Sequence, residues 1–302
     1  MPIMKQAEFT ADASEEGLSC GELLKRRGVS RRLTVKLKRL EDGITVNGKQ
    51  IRTVDTVHAG DIISLRCLDE SLLEPNSSLY VPVVYEDEQV VVFNKPAAMP
   101  VHPSVKHQGD TLGNCFAAMY PGLTFRPVNR LDRDTSGLCA AAKSKYAANL
   151  LAGNISKVYY AVTEGKPVPH DMDDISIKWY KTGNSYRIEA PIGRAGESII
   201  RREIRRDGQY AATEYTILES DGKHSLVRVL PETGRTHQIR VHFSSVGHPL
   251  AGDDLYGGSR SYCQEQALHC GEMSLIGSSG RTVSLFCPLR ENMQKLIDGG
   301  SE

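Results

Sequence analysis

A chain of 302 residues, 40% hydrophobic and 25% charged, has the balance of an ordinary globular protein and enough length for more than one domain. No apolar run approaches the roughly 18 residues of a membrane span, and the first 17 residues lack the apolar stretch of a signal peptide, so no membrane partner and a cytoplasmic location are expected. Seven cysteines, scattered without a CxxC pair, argue against a disulfide framework or a zinc site and read as reduced, packed thiols.

The net charge of zero hides an asymmetry. Residues 1–16 are acidic and aperiodic and read as a poorly ordered lead. Residues 17–68 carry eleven Lys or Arg against five Asp or Glu, a net of +6, and interleave leucines and valines with the basic residues. Two short helices separated at Gly28-Val29-Ser30 fit this pattern, with Ser30 capping the second. Strands follow at 44–46 and 62–65, with Asn47-Gly48 as a tight turn. A basic helix face of this density attracts a polyanion through phosphate contacts, and Arg26, Arg27, Arg31, Arg32, Lys36, Lys38, Arg39 and Lys49 are the candidates. A solvated basic face without a partner is the plainer alternative.

Residues 69–81, rich in Asn, Ser, Glu and Pro, read as a linker to a second domain at 82–298. The pattern over 81–93 predicts a strand, a charged turn and a buried strand, followed by an extended loop forced by close prolines and a helix over 111–120. Lys95, at the end of the apolar run, is either a phosphate contact or a strand-end lysine. His102 and His107 read as loop polar contacts rather than metal ligands.

In the stretch 129–138, NRLDRDTSGL, Arg130 and Arg133 flank Asp132 and would hold it anionic, unless they form only a solvated surface pair with it. A buried strand over 138–142, a helix over 145–151 and a strand over 155–162 are predicted next, the last with Tyr159 and Tyr160 on opposite faces. Trp179, Tyr180 and Tyr186 suggest further strands, residues 201–206 form a basic island that reads as a solvated hairpin tip, and 212–219 and 225–230 form a hairpin through Asp221-Gly222. In GRTHQIRVHF, residues 234–243, Ile239, Phe243 and Val246 recur at helical spacing, so a helix is predicted from about Thr236 with Arg235 free at its edge. His237 and His242 are five apart and miss the i, i+4 face of a helical metal pair. A short amphipathic helix over 289–297 closes the chain.

The string Arg130-Leu131-Asp132 leading into Thr135-Ser136-Gly137 resembles the catalytic motif of the RluA family of RNA pseudouridine synthases. Asn94-Lys95-Pro96, Lys157-Val158-Tyr159, the GRTHQIR segment, Gly247-His248-Pro249-Leu250, Gly252-Asp253-Asp254-Leu255-Tyr256-Gly257 and Ala267-Leu268-His269 resemble further landmarks, and the likeness spans residues 18–298. Asn129 departs from the pattern, since many members carry His there. Residues 17–68, with Val46-Asn47-Gly48-Lys49, resemble an S4 RNA-binding domain.

The resemblance implies an α+β fold, with a mixed, largely antiparallel sheet in the catalytic domain and a small N-terminal α/β S4-like domain. It implies Asp132 as the nucleophile, Tyr159 as the active-site aromatic that relays a proton or stacks on the base, and Arg235 as the arginine that pairs with Asp132. Arg130, Lys157, Ile239 and Arg240 are the expected substrate contacts. Neither cofactor nor metal is implied, and the expected partner is RNA, large-subunit ribosomal RNA before tRNA, bound by a monomer. Two other readings are an RNA-binding protein that has lost catalysis, which the presence of Asp132, Tyr159 and Arg235 opposes, and a glycoside hydrolase using Asp132 with Asp134. Such a pair must flank the scissile bond about 5–9 Å apart, and two carboxylates so close together in one short stretch are poorly placed to do so.

Overall fold

Leucines at 23, 24, 33 and 37 can be buried together only if the two short basic helices fold back on one another. They do so as α1 (Cys20–Arg26) and α2 (Arg31–Leu37), and Ser30 accepts the Leu33 N–H as the cap. The computed structural model describes residues 3–68, 73–172, 174, 176–196, 198, 200–261 and 263–298. The helix pair covers a four-stranded antiparallel sheet of order β1-β4-β2-β3, where β1 is Ile3–Thr10, β2 Ile44–Val46, β3 Lys49–Gln50 and β4 Ile62–Leu68. Asn47 and Gly48 join β2 to β3 with φ of 49° and 78°, the left-handed pair that a two-residue hairpin needs.

The N-terminal stretch is not a loose lead. Residues 3–10 pair with β4 along its whole length, and Arg27 closes the following turn by bonding Glu15 through Nε at 2.7 Å. The strand was hidden because its apolar alternation, Ala7, Phe9 and Ala11, is short and set among acids; the unpaired edge of β4 supplies the rest. Arg27 is thereby committed to an internal ion pair rather than to the open basic face. Arg26, Arg31, Arg32, Lys36, Lys38, Arg39 and Lys49 are exposed.

Among the described residues the larger sheet has ten strands. Its order is β5-β6-β7-β15-β8-β14-β13-β10-β9, with β16 paired to the other end of β15. In chain order these are β5 (Val83–Glu86), β6 (Val90–Lys95), β7 (Ser136–Ala142), β8 (Ile155–Glu164), β9 (Lys178–Thr182), β10 (Ser185–Glu189), β13 (Ala212–Ser220), β14 (His224–Pro231), β15 (Leu268–Ile276) and β16 (Thr282–Phe286). A separate ribbon joins β11 (Ile192–Arg194) to β12 (Arg202–Ile204). Among the described residues only β7 and β15 run parallel, which makes the sheet mixed and largely antiparallel.

Helices α3 (Leu112–Met119), α4 (Lys145–Leu151), α5 (Gln238–Ser245) and α6 (Glu291–Ile297) pack beside it. Every residue of β7, SGLCAAA, is buried, and its small side chains let α4 and the Phe93, Phe116 and Leu138 core close over it. The two units meet at α4, where the Tyr146 hydroxyl donates to the Arg27 carbonyl at 3.0 Å and the Asn149 amide to that of Gly28 at 2.7 Å. Among the described residues no helix is long and apolar enough to cross a membrane.

Candidate active site

Residues 130–135 form the turn that feeds β7 into the middle of the large sheet, and the turn is fixed from behind. The Thr135 N–H closes it on the Asp132 carbonyl at 3.1 Å, and the Gln266 amide donates to the Thr135 hydroxyl at 2.7 Å. Gly137 pairs with both Lys95 and Cys270, at φ +103°, and a Cβ there would lie 2.3 Å from the Cys270 carbonyl oxygen. The glycine of the T-S-G string is therefore required by the strand crossing itself. Asn129 is buried, accepts the Ala140 N–H and donates to the Leu138 carbonyl, so its amide serves the strand.

Lys95 lies wholly inside the protein. Its ammonium donates to the carbonyls of Pro96 and Met99, each at 2.7 Å, and of Arg133 at 3.0 Å, and burial lowers its pKa to about 8. Of its two sequence readings, the phosphate contact is excluded by burial: this lysine ties the 96–99 loop to the Asp132 turn. Lys95→Met, which leaves three carbonyls without a donor, is expected to cost about 3 kcal/mol in urea unfolding and to lower activity. Wild-type stability and rate together would contradict that role.

Held this way, Asp132 presents a carboxylate whose side chain is 29% exposed. Its cation is Arg240 of α5, with Nη1 at 3.0 Å from Oδ2. The other edge of the guanidinium is gripped twice by Asp253, at 2.7 and 2.8 Å, and its face lies 4.9 Å from the centre of the Tyr256 ring. Both Arg240 and Asp253 are buried. Burial works against the charge on Arg240, but the carboxylates of Asp253 and Asp132 outweigh it and raise its pKa. The cation is thus aimed at Asp132 before any ligand arrives.

Arg235, expected to make this contact, does not. Its Nε donates to the Tyr210 carbonyl at 3.1 Å. The helix starts at Gln238, not Thr236, because the Gln238 side chain folds back to accept the Arg235 N–H and the Thr233 hydroxyl, while His237 adopts a left-handed φ of 57°. Arg235 is left outside the helix and Arg240 falls in its first turn. The flanking arginines do not hold Asp132 either: Arg133 pairs with Asp134 at 2.8 Å, and Arg130 is exposed with no ion pair among the described residues.

His237 also faces the carboxylate, with Nε2 at 3.7 Å from Asp132 Oδ2 and Nδ1 at 2.8 Å from the Tyr256 hydroxyl. Burial lowers its pKa, against the pull of Asp132. His242 points the other way, to Thr213 and the Ala190 carbonyl, and burial lowers its pKa to about 4.

Tyr159, on β8 between Val229 and Cys270, is half-buried and packs against both the core around β6 and β7 and the core around β13, β14 and α5. Burial raises its phenol well above the usual tyrosine range, and the Asp132 carboxylate adds to the shift. Tyr160 faces away and bonds Glu272. Lys157 lies two residues before Tyr159 on the same face, and Ile239 is buried in the α5 core.

The Asp132 carboxylate, aligned by a buried guanidinium and near enough to Tyr159 to raise its phenol's pKa, is a group that can attack as a nucleophile or accept a proton. The model of the RNA pseudouridylate synthase family matches residues 89–245, from β6 to α5, more than half of the chain. The chain belongs to the RNA pseudouridylate synthase family.

Among its relatives, the uncharacterized RNA pseudouridine synthase YjbO of Bacillus subtilis is 34% identical over 284 residues, 90% of this chain and 95% of that protein. The ribosomal large subunit pseudouridine synthase D of Pseudomonas aeruginosa is 37% identical over 230 residues, 72% of this chain and 67% of that one. The solved structure of human RNA pseudouridylate synthase domain containing 1 superposes with a TM-score of 0.55 at 26% identity, covering 72% of this chain and 86% of that one.

Three residues of the synthase site escaped the sequence reading: Asp253, Tyr256 and His237. The first two lie in the GDDLYG string, which carried a signal as a landmark without a role. Its Gly252 lets the loop turn back, since a Cβ there would come within 2.4 Å of the Glu265 carbonyl, and the turn brings Asp253 under Arg240.

Proposed function

We propose that this synthase isomerises a uridine of large-subunit ribosomal RNA, with Asp132 as nucleophile and Arg240 as the cation that aligns it. The single observation that carries the reading is the Asp132–Arg240–Asp253 chain. The reaction breaks the bond between the ribose C1′ and N1 of uracil, turns the base, joins C1′ to C5 and removes the C5 proton. Asp132 supplies the electron pair that splits this into two easier steps. The target atoms are inaccessible in a stacked helix, so the uridine must leave the stack, and Tyr159 and Ile239 form the wall that keeps the free uracil in place.

Held neutral, Tyr159 cannot serve as a standing phenolate; it relays a proton only by giving up its own, and the Asp132 carboxylate is the acceptor beside it. Between pH 7 and 9, Tyr159→Phe is therefore expected to change the height of the single-turnover profile but not its shape. A rising limb in the wild type that vanishes in this variant would contradict the assignment.

The ribosomal target is favoured because relatives from Pseudomonas aeruginosa, Neisseria meningitidis and Yersinia pestis are named ribosomal large subunit pseudouridine synthase D. The N-terminal unit, read as S4-like, grips RNA through the exposed Arg26, Arg31, Arg32, Lys36, Lys38, Arg39 and Lys49. The seven cysteines are free and buried, which suits a cytoplasmic enzyme, and one copy of the chain carries the whole proposed site. Incubation with large-subunit ribosomal RNA and with tRNA from cells lacking the gene tests the target: conversion of the ribosomal RNA supports it, and conversion of tRNA alone overturns it.

A further inference from the structure

The residue that starts α5 does nothing for the helix. That position suits a Ser, Thr or Asp that caps the first turn, or a Gly or Asn that adopts a left-handed φ at little cost. His237 stands there at φ 57° and makes no side-chain cap, a strain of the order of 1 kcal/mol with no gain to α5. Its imidazole instead spans the gap between two groups of the site, Nε2 facing Oδ2 of Asp132 at 3.7 Å and Nδ1 meeting the Tyr256 hydroxyl at 2.8 Å.

We propose that His237 is a positioning residue for the isomerisation: its Nε2–H donates to Oδ2 of Asp132, sets the plane of the carboxylate together with Arg240, and leaves Oδ1 as the atom that attacks C1′. The proposal rests on the reading of Asp132 as nucleophile and goes beyond it by naming the attacking oxygen and what selects it.

The place of the proton follows from Tyr256. Its hydroxyl accepts the backbone N–H of Arg202 at 2.9 Å, a contact in which the amide can only donate. The phenol proton is then free for Nδ1 of His237, and a neutral imidazole that accepts at Nδ1 carries its own proton on Nε2, the nitrogen that faces Asp132. The opposite tautomer would leave the phenol of a buried tyrosine with no acceptor among the described residues. The groups around the ring keep it neutral at pH 7. Burial lowers its pKa, and Arg240 of α5 and Arg202 of β12 add to that against Asp132 and Asp253.

The geometry shows why one arginine is not enough. Arg240 holds Asp132 through a single hydrogen bond, Nη1 to Oδ2 at 3.0 Å, and the torsion that turns an Asp carboxylate about its Cβ–Cγ bond is soft. A second donor on the same oxygen, from another side chain, fixes that torsion. Oδ1 has no hydrogen bond among the described residues, so its lone pairs are available to C1′. The His237 contact is longer than a hydrogen bond by about half an ångström, an approach of the kind that catalytic hydrogen bonds make when a substrate is seated. No proton leaves the imidazole in either half of the reaction.

Glutamine and asparagine separate the two ring nitrogens, since the Gln amide reaches to the region of Nε2 and the Asn amide only to that of Nδ1. The test is single-turnover conversion of large-subunit ribosomal RNA from cells lacking the gene, with RNA affinity and the melting transition measured beside it. His237→Asn is expected to lower the rate by about 10- to 100-fold while affinity stays within about twofold, and to melt no lower than wild type because asparagine accepts the left-handed φ. His237→Gln, which restores the donor, is expected to convert at least about fivefold faster than His237→Asn. Tyr256→Phe keeps the ring under Arg240 but cannot fix the tautomer, so it lowers the rate as well, and His237→Asn with Tyr256→Phe is no more than about twofold slower than His237→Asn alone.

A histidine that only shapes the backbone predicts the reverse order, with asparagine the better replacement. His237→Asn at the wild-type rate, His237→Gln no faster than His237→Asn, or losses that multiply in the double variant each overturn the proposal. If a His237 variant fails to fold, Tyr256→Phe decides: a wild-type rate overturns the proposal and a lowered rate at unchanged affinity supports it. Failure of the nucleophile itself shows separately, as conversion by Asp132→Asn.

Discussion

Asp132→Asn is expected to remove uridine conversion, with a single-turnover rate lower by on the order of 10⁴-fold or more, while RNA affinity stays within about threefold. The separation follows from the charges. Asparagine keeps the shape and hydrogen-bonding reach of the side chain but has no carboxylate to attack, whereas RNA is attracted mainly through phosphate contacts made elsewhere. The variant should also fold. Arg240 keeps both bonds to Asp253, so no buried charge is orphaned, and the turn is held by Lys95 and Gln266, which the substitution does not touch. A lost rate with an unchanged melting transition is the expected pair of results; a rate near wild type would remove Asp132 from the chemistry.

Arg240→Leu is expected to be the most damaging change at the site for stability. Asp253 is 2% exposed and would be left as a buried carboxylate without its cation, a loss of about 3–5 kcal/mol. Conversion would fall as well, since Asp132 would lose its aligning partner. A second substitution separates the two effects. In Arg240→Leu with Asp253→Leu the buried pair is replaced by apolar side chains, an exchange often neutral or better for folding, so stability should return in urea unfolding. Activity should not return. If the double variant regains both, the arginine only shields Asp253 and does not align the nucleophile.

The elements with strong local signals were legible in the sequence. Ser30 caps the helix it was positioned to cap, the helix expected over 111–120 forms at Leu112–Met119, and the small apolar run at 138–142 is the buried strand behind the motif. The missed elements depend on partners distant in the chain. β1 is a strand because the edge of β4 accepts it, and the short alternation of Ala7, Phe9 and Ala11 does not by itself reveal that.

The choice between Arg235 and Arg240 turned on where α5 begins. Apolar spacing places the helix face but not its first residue, which the Gln238 side chain and the left-handed His237 decide. The link from Arg240 to Asp253 crosses 13 residues of a folded loop, and only the close approach at Gly252 shows why those two side chains meet. For Lys95 charge alone left two readings open, and burial decided between them.

The most direct measurement is a nucleotide-resolution map of pseudouridine in ribosomal RNA from cells lacking the gene, complemented with the wild-type protein or with Asp132→Asn. The account predicts at least one large-subunit position that loses its pseudouridine in the deletion, regains it with the wild type and stays unmodified with the variant. Restoration of that position by Asp132→Asn, or a map that the deletion leaves unchanged, would contradict it.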